Sequence, residues 1–177
     1  MQFSNTAISI ATISDVPAIN NLLNQAYRGE SSRQGWTTEA NIIEGETRTD
    51  ESDLEKIIHQ PGSVFLTFND NTRGIIGCVN LKKEGRKMYL GMFSVSPRLQ
   101  GGGIGKKILQ ASEEYAGQIQ CDIIYMSVIS VRKEIIDWYI RHGYYDTGTR
   151  KPFVEDGLTG KHLQPLEFMI LEKKLIG

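Results

Sequence analysis

The stretch FSVSPRLQGGGIGKKIL, residues 93–109, decides the fold. A strand-like run ends at Pro97, four glycines follow within five positions, and Ile104, Ile108, Ala111 and Tyr115 then recur at helical spacing. Glycine weakens helices and strands by roughly 0.5–1 kcal/mol each, so this concentration marks a place where something must approach the main chain closely. Three phosphate-binding templates can be laid on it. A Walker loop fails, because Gln100 stands where its first glycine belongs and Lys107 where its hydroxyl residue belongs. A dinucleotide fingerprint fails too, because Lys106 or Ile108 would have to be glycine. The pattern Gln-x-x-Gly-x-Gly fits at Gln100, Gly103 and Gly105. Its N–H groups and the positive end of the following helix together make an anion site. The competing reading is a flexible strand-to-helix turn with no ligand.

Outward from this loop the chain alternates. AISIA (7–11) reads as a short strand, and SDVPAINNLLNQAYR as a helix capped by Ser14 or Asp15. Residues 28–52 are polar, with a short helix expected only around Thr38–Glu44. SDLEKIIHQ gives another short helix ended by Pro61-Gly62. SVFLTF, GIIGCVNL and KMYLGMFSV read as consecutive antiparallel strands joined by turn-rich segments. CDIIYMSVI suits a strand covered on both faces, and RKEIIDWYIRH a helix stopped by Gly143. YYDTG and LEFMILEKKL close the chain as a strand pair, separated by a loop from Thr149 to Gln164. The order β-α-(α)-β-β-β-α-β-α-β-β describes one α/β domain, residues 1–177, with a mixed, mostly antiparallel sheet flanked by helices.

Bulk properties narrow the function. The 177 residues suffice for one sizeable core, and a net charge of -1 with 23 % charged residues gives no basic excess for nucleic acid. No apolar run approaches the roughly 18 residues of a membrane span, and no secretory signal is visible. Cys78 and Cys121 read as buried free thiols of a cytoplasmic protein. His59, His142 and His162 lack metal-ligand spacing, so no metal is expected.

The glycine pattern, together with Tyr139, Gly143 and Tyr144 in IIDWYIRHGYY, resembles the GNAT acetyltransferase superfamily over essentially the whole chain. The resemblance implies a GNAT fold whose sheet splays, often at a β-bulge, beside the strand that binds CoA. It implies acetyl-CoA as co-substrate, held by the backbone of Phe93, Ser94 and Val95 and by the loop Gln100, Gly101, Gly102, Gly103, Ile104, Gly105 and Lys106. It also implies direct transfer of the acetyl group to a primary amine of a small molecule, amino acid or peptide. A backbone N–H of the Met92–Ser94 strand would serve the oxyanion. Tyr139 matches the family's proton donor to the leaving thiolate, and the other reading of it is a buried aromatic beside Trp138 and Ile135. Arg132 stands where the family often has asparagine, and either contacts CoA or caps acidic groups.

The base and the acceptor are not readable. The MYLGMFSV strand has no acid where many relatives carry one, which leaves Glu30, Glu39 or a water chain. Tyr27, Arg28, Arg33 and Trp36 lie in the segment that shapes acceptor pockets in this fold, with Arg28 or Arg33 as a carboxylate contact and Trp36 as an apolar wall. Arg48, Phe153 and His162 are further candidates. A non-catalytic CoA-binding module remains the alternative function, an ATP-binding protein is the third, and a homodimer is compatible with everything above.

Overall fold

The computed structural model describes residues 1–175. Along the chain come β1 (Ile8–Ile10), a 3-10 turn (Ile13–Asp15), α1 (Val16–Tyr27), α2 (Gly29–Ser32), β2 (Ile43–Glu44), α3 (Glu51–Ile58), β3 (Ser63–Asp70), β4 (Gly74–Glu84) and β5 (Lys87–Val95). A second 3-10 turn (Pro97–Leu99) leads to α4 (Ile104–Gln118), β6 (Ile123–Ile129), α5 (Lys133–Arg141), β7 (Tyr145–Pro152), β8 (Lys161–His162) and β9 (Glu167–Lys174). Seven strands form one sheet in the order β1-β3-β4-β5-β6-β9-β7, and β2 pairs separately with β8. Every neighbouring pair in the large sheet is antiparallel except β5 with β6. Among the described residues no helix is long and apolar enough to cross a membrane.

Period-two alternation sorts the strand side chains onto two faces. Leu66 and Val79 join α4 and α5 in one cluster with Ile108, Leu109 and Tyr139. Phe65 and Cys78 join α1 and α3 in the other, with Ile19, Leu23 and Leu54. Each fully buried leucine or isoleucine in these layers contributes about 1.5–3 kcal/mol. Cys78 and Cys121 are both buried free thiols.

The sheet opens at β5. Cys78 pairs with Ser94 and Asn80 with Gly91, so Val79 alone faces both Met92 and Phe93. Met92 takes up the extra residue with a left-handed φ of 48°, which makes a β-bulge. The parallel ladder between β5 and β6 covers only Lys87–Tyr89 against Ile123–Tyr125, and the two strands diverge beyond it. Bulge and divergence leave one edge of residues 90–95 without a strand neighbour, and that edge positions the site.

Four local expectations need correction. Thr38–Glu44 is not helical: the short helix lies earlier, at α2, and Ile43 and Glu44 pair with His162 and Lys161. The cause is distant: Glu39 pairs with Arg132, and Ile43–Glu44 with β8. Neither Ser14 nor Asp15 caps α1; the Asp15 carboxylate accepts from Thr12 N at 2.7 Å and from Thr12 Oγ1 at 3.0 Å in the preceding 3-10 turn. The loop expected over residues 149–164 is shorter, since β7 continues to Pro152 and β8 forms within it. Finally, β6 is not covered equally on both faces. Ile124, Met126 and Val128 are buried, but Ile123, Tyr125 and Ser127, on the opposite face, are only half-buried.

Candidate active site

Two clefts meet on the open edge of β5. The larger, about 570 Å³, lies between the glycine loop and α5. The smaller, about 120 Å³, lies between α1, β5, β6 and the strand β9 with its approach. Phe93, Ile135 and Tyr139 line both, so the open edge and one face of α5 form the passage between them.

The larger cleft explains the glycines. Gly101 and Gly103 have φ of 86° and 80°, a left-handed backbone that side chains resist. A Cβ at either position would meet nothing within 4 Å, so the main chain here borders open space. α4 begins at Ile104 and presents the unpaired N–H groups of its first turn to the cleft. Gly105 and Lys106 line the same wall, with Arg141 and His142 opposite at the end of α5. Phe93, Ser94 and Val95 form the floor, and the buried Ser94 hydroxyl has no hydrogen-bond partner among the described residues. Left-handed glycines, a helix start, basic side chains and an orphaned hydroxyl suit an elongated ligand bearing phosphates, as CoA is.

Gln100 is placed differently from a ligand contact. Its Nε2 donates to Thr37 Oγ1 at 2.7 Å and to Val95 O at 3.0 Å, and its Oε1 accepts from Trp36 N at 2.9 Å. The side chain ties the glycine loop to residues 36–37 and has little left to offer a ligand. Trp36 sits 45 % exposed, 6.4 Å from the Trp138 ring, and lines the larger cleft rather than an acceptor pocket. Gly102 has ordinary φ, and a Cβ there would sit 3.5 Å from Leu99 O.

Tyr139 is 3 % exposed and packed by Trp138 at 5.1 Å, Tyr144 at 5.6 Å and Phe93 at 6.3 Å. Burial holds its phenol well above the ordinary value, with nearby Tyr27 adding to the effect. It is therefore a protonated donor at neutral pH. Tyr27 of α1 donates to the carbonyl of Phe93, and burial, reinforced by Glu39, pushes its own phenol up to about 12.

The smaller cleft has an ionic wall. Glu39, 7 % exposed, is gripped by Arg28 Nη1 at 2.5 Å on one oxygen and by Arg132 Nη1 at 3.2 Å on the other. Arg132 also donates to Thr37 O at 2.6 Å and lines this cleft, not the larger one, so of its two expected roles the acidic partner is the one found. Arg28 is 1 % exposed, with Nε and Nη2 bonded to Thr159 O at 3.0 and 2.8 Å. It is a buried structural cation, which corrects its assignment as an acceptor contact. Glu30 pairs with Arg33 at 3.3 Å, its side chain 92 % exposed, and borders neither cleft, so it is not the base. Arg33 points to Asn41. Arg48, Phe153 and Tyr27 do line the smaller cleft, whereas His162 stands behind Phe153, ring centres 4.5 Å apart.

Reading the sequence missed several lining residues. Ile135, Trp138 and His142 stand at i, i+3 and i+7 along α5 and its C-cap, on the face of the expected Tyr139, which helical spacing alone could have assigned to the cleft. Thr37 and Ser127 carry no such local signal.

Comparisons with known proteins agree with this geometry. The sequence profile of the acetyltransferase (GNAT) family matches residues 17–144. No individually curated protein matches the chain. Among solved structures, a ribosomal-protein-alanine N-acetyltransferase from Brucella melitensis superposes with a TM-score of 0.70 at 19 % identity, covering 95 % of this chain and 99 % of that one. An N-acetyltransferase from Staphylococcus aureus Mu50 gives 0.71 at 14 % identity, covering 98 % and 100 %. A spermidine N-acetyltransferase chimera from Vibrio cholerae and hSSAT gives 0.68 at 15 % identity, covering 95 % and 94 %. At such identities the likeness is one of fold.

Proposed function

Because the chain belongs to the acetyltransferase (GNAT) family, we propose that it transfers an acetyl group from acetyl-CoA to a primary amine by direct attack, with Tyr139 as general acid. One observation carries this reading: Tyr139 and Phe93 stand where the phosphate-suited cleft opens into the smaller cleft, on an unpaired strand edge. Acetyl-CoA would supply the activated acyl carbon. The N–H groups at Gly101–Lys106 would hold its diphosphate, and the free edge of Phe93–Val95 would pair with its amide arm as an added strand does.

The chain's own groups then meet the demands of the transfer. A backbone N–H of the Met92–Ser94 strand stabilises the oxyanion. As the N–C bond forms and the C–S bond breaks, Tyr139 gives its phenolic proton to the departing sulfur, and the proton shed by the newly acylated nitrogen restores the phenol. The acceptor must arrive neutral, although a free alkylamine holds its proton to pH about 10. Arg28, Arg48 and Arg132 around the single carboxylate Glu39 make the smaller cleft cationic, which favours loss of that proton to water. Glu39, held at both oxygens, acts as a structural anion rather than as the base. Cys78 and Cys121 as free thiols suit the cytoplasm.

The test is an acceptor screen read in two ways, by release of free CoA thiol and by mass spectrometry for one added acetyl group. Acetylated product with matching thiol release is expected. No thiol release with any amine, amino acid or peptide, and no rise in melting temperature with acetyl-CoA, would overturn the reading.

A further inference from the structure

Building on that reading, we infer that the acceptor is an amine that also carries a carboxylate, an amino acid rather than a polyamine, and that Arg48 binds the carboxylate. The charged side chains lining the smaller cleft are Glu39, Arg48 and Arg132. Glu39 and Arg132 satisfy one another, and Arg28 satisfies the second oxygen of Glu39. Arg48 is different. Among the described residues its guanidinium makes no ion pair and no hydrogen bond; it lies over the Tyr27 ring, 5.8 Å from the centroid, half-buried at the cleft wall.

That position is built. Asn24 of α1 accepts from Arg48 N at 2.5 Å and from Thr49 N at 3.2 Å, and donates to Thr49 O at 3.0 Å. The main chain around Arg48 is thus fixed to the helix that carries Tyr27. Tyr27 in turn bonds the carbonyl of Phe93, so one tyrosine side chain separates the Arg48 guanidinium from the strand edge where the acyl group would lie. Arg48, Phe93 and Tyr139 border the same cleft, so an amine poised at the strand edge shares that pocket with the guanidinium. Guanidinium is suited to the task, since its planar fork matches both carboxylate oxygens. A polyamine would instead bring a second positive charge into a cleft whose only carboxylate is already paired twice. The volume of about 120 Å³ also favours a compact acceptor.

The test compares matched pairs that differ by the carboxylate alone: alanine with ethylamine, phenylalanine with phenethylamine, ornithine with putrescine. For the amino-acid member, kcat/KM should be about ten- to a hundredfold higher, the range for a hydrogen bond to a charged group. Arg48→Met should raise the KM for that member by a similar factor, Arg48→Lys should recover part of it, and the KM for acetyl-CoA should stay constant. Thermal shifts of the CoA complex with each acceptor give a readout independent of turnover. Amino acids should stabilise the wild-type complex and not Arg48→Met. Equal use of both members, or an amino-acid shift that Arg48→Met leaves intact, would overturn the inference. So would the absence of any amino-acid shift in a wild-type complex that acetyl-CoA itself stabilises. A protein that acetyl-CoA does not stabilise contradicts the broader reading instead.

Discussion

Gln100 and Thr37, 63 residues apart in sequence, are joined by a 2.7 Å hydrogen bond from the glutamine amide to the threonine hydroxyl. With the bonds to Val95 O and from Trp36 N, this makes a single side chain the clasp between β5, the glycine loop and residues 36–37. Gln100→Ala removes all three bonds and leaves a strand-end carbonyl unpaired. The expected loss is about 1.5–4.5 kcal/mol, from a net worth of about 0.5–1.5 kcal/mol for each of the three bonds. The KM for acetyl-CoA should rise because the loop is no longer held. Urea unfolding alongside steady-state kinetics checks both, and an unchanged midpoint would refute the clasp.

Two glycines of the loop should respond in opposite ways. Gly103 has φ of 80°, so Gly103→Val forces a β-branched residue into the left-handed region and should cost about 2 kcal/mol or more of stability along with binding. Gly105 lies in the first turn of α4, where a Cβ would stand 3.7 Å from both Phe93 and Trp138 in ordinary contact. Gly105→Ala should therefore stabilise the fold, by up to about 1 kcal/mol of helix propensity, and keep binding. Gly105→Leu should keep the fold but fill the cleft. Calorimetry with acetyl-CoA on the three variants separates backbone strain from blocked access, and full affinity in Gly105→Leu would place the ligand elsewhere.

Tyr139→Phe isolates the proton donor. The ring keeps its packing against Trp138 and Tyr144, so the melting temperature should move little. Turnover should fall about 10²–10⁴-fold, the usual contribution of a placed acid, with acetyl-CoA affinity unchanged. Full turnover would assign the proton to another group.

The buried ionic wall predicts a stability defect rather than a subtle kinetic one. Glu39→Gln leaves Arg28 and Arg132 close together without their shared anion, in a site where Arg28 is 1 % exposed. Breaking such a pair costs about 3–5 kcal/mol. Chemical denaturation should show that loss, and a cost below 1 kcal/mol would mean that the carboxylate is dispensable to the wall.

Alkaline pH should also unfold the protein early. Burial raises Tyr27 from 10.0 to about 12 and Cys78 from 9.0 to about 12. In both cases the native state keeps a proton that the unfolded chain releases first. Their stabilising effect is complete below pH 9 and declines as pH climbs towards 12, by as much as about 1.4 kcal/mol per unit for each group. Urea midpoints between pH 7 and 11 should be governed by other groups at first and then drop; a flat profile to pH 11 would contradict the burial of both.

The parts of this fold legible in the sequence are those whose cause is local. The β3-β4-β5 meander follows from alternation and turn residues, and the start of α4 from glycines that only a left-handed backbone requires. Residues 28–52 were opaque because their shape is imposed from afar: Arg28 answers to Thr159, Glu39 to Arg132, and Ile43 to His162. The glycine-loop wall of the larger cleft lies in one contiguous motif, so the sequence could list it, whereas most of the α5 face opposite was missed. The smaller cleft is assembled from α1, the Arg48 turn, β5, β6, α5 and Phe153 with Phe168, and no spacing along the chain announces which of those side chains will converge.

The position of β9 has a consequence for how the protein is made. Because β9 lies between β6 and β7, β7 has no seat in the sheet until residues 167–174 have left the ribosome. Phe153 and Phe168, which wall the smaller cleft, come together only then, 4.3 Å apart. Every residue lining the larger cleft precedes position 143, so its walls can be in place while the smaller cleft still lacks these two aromatic rings, which close it last.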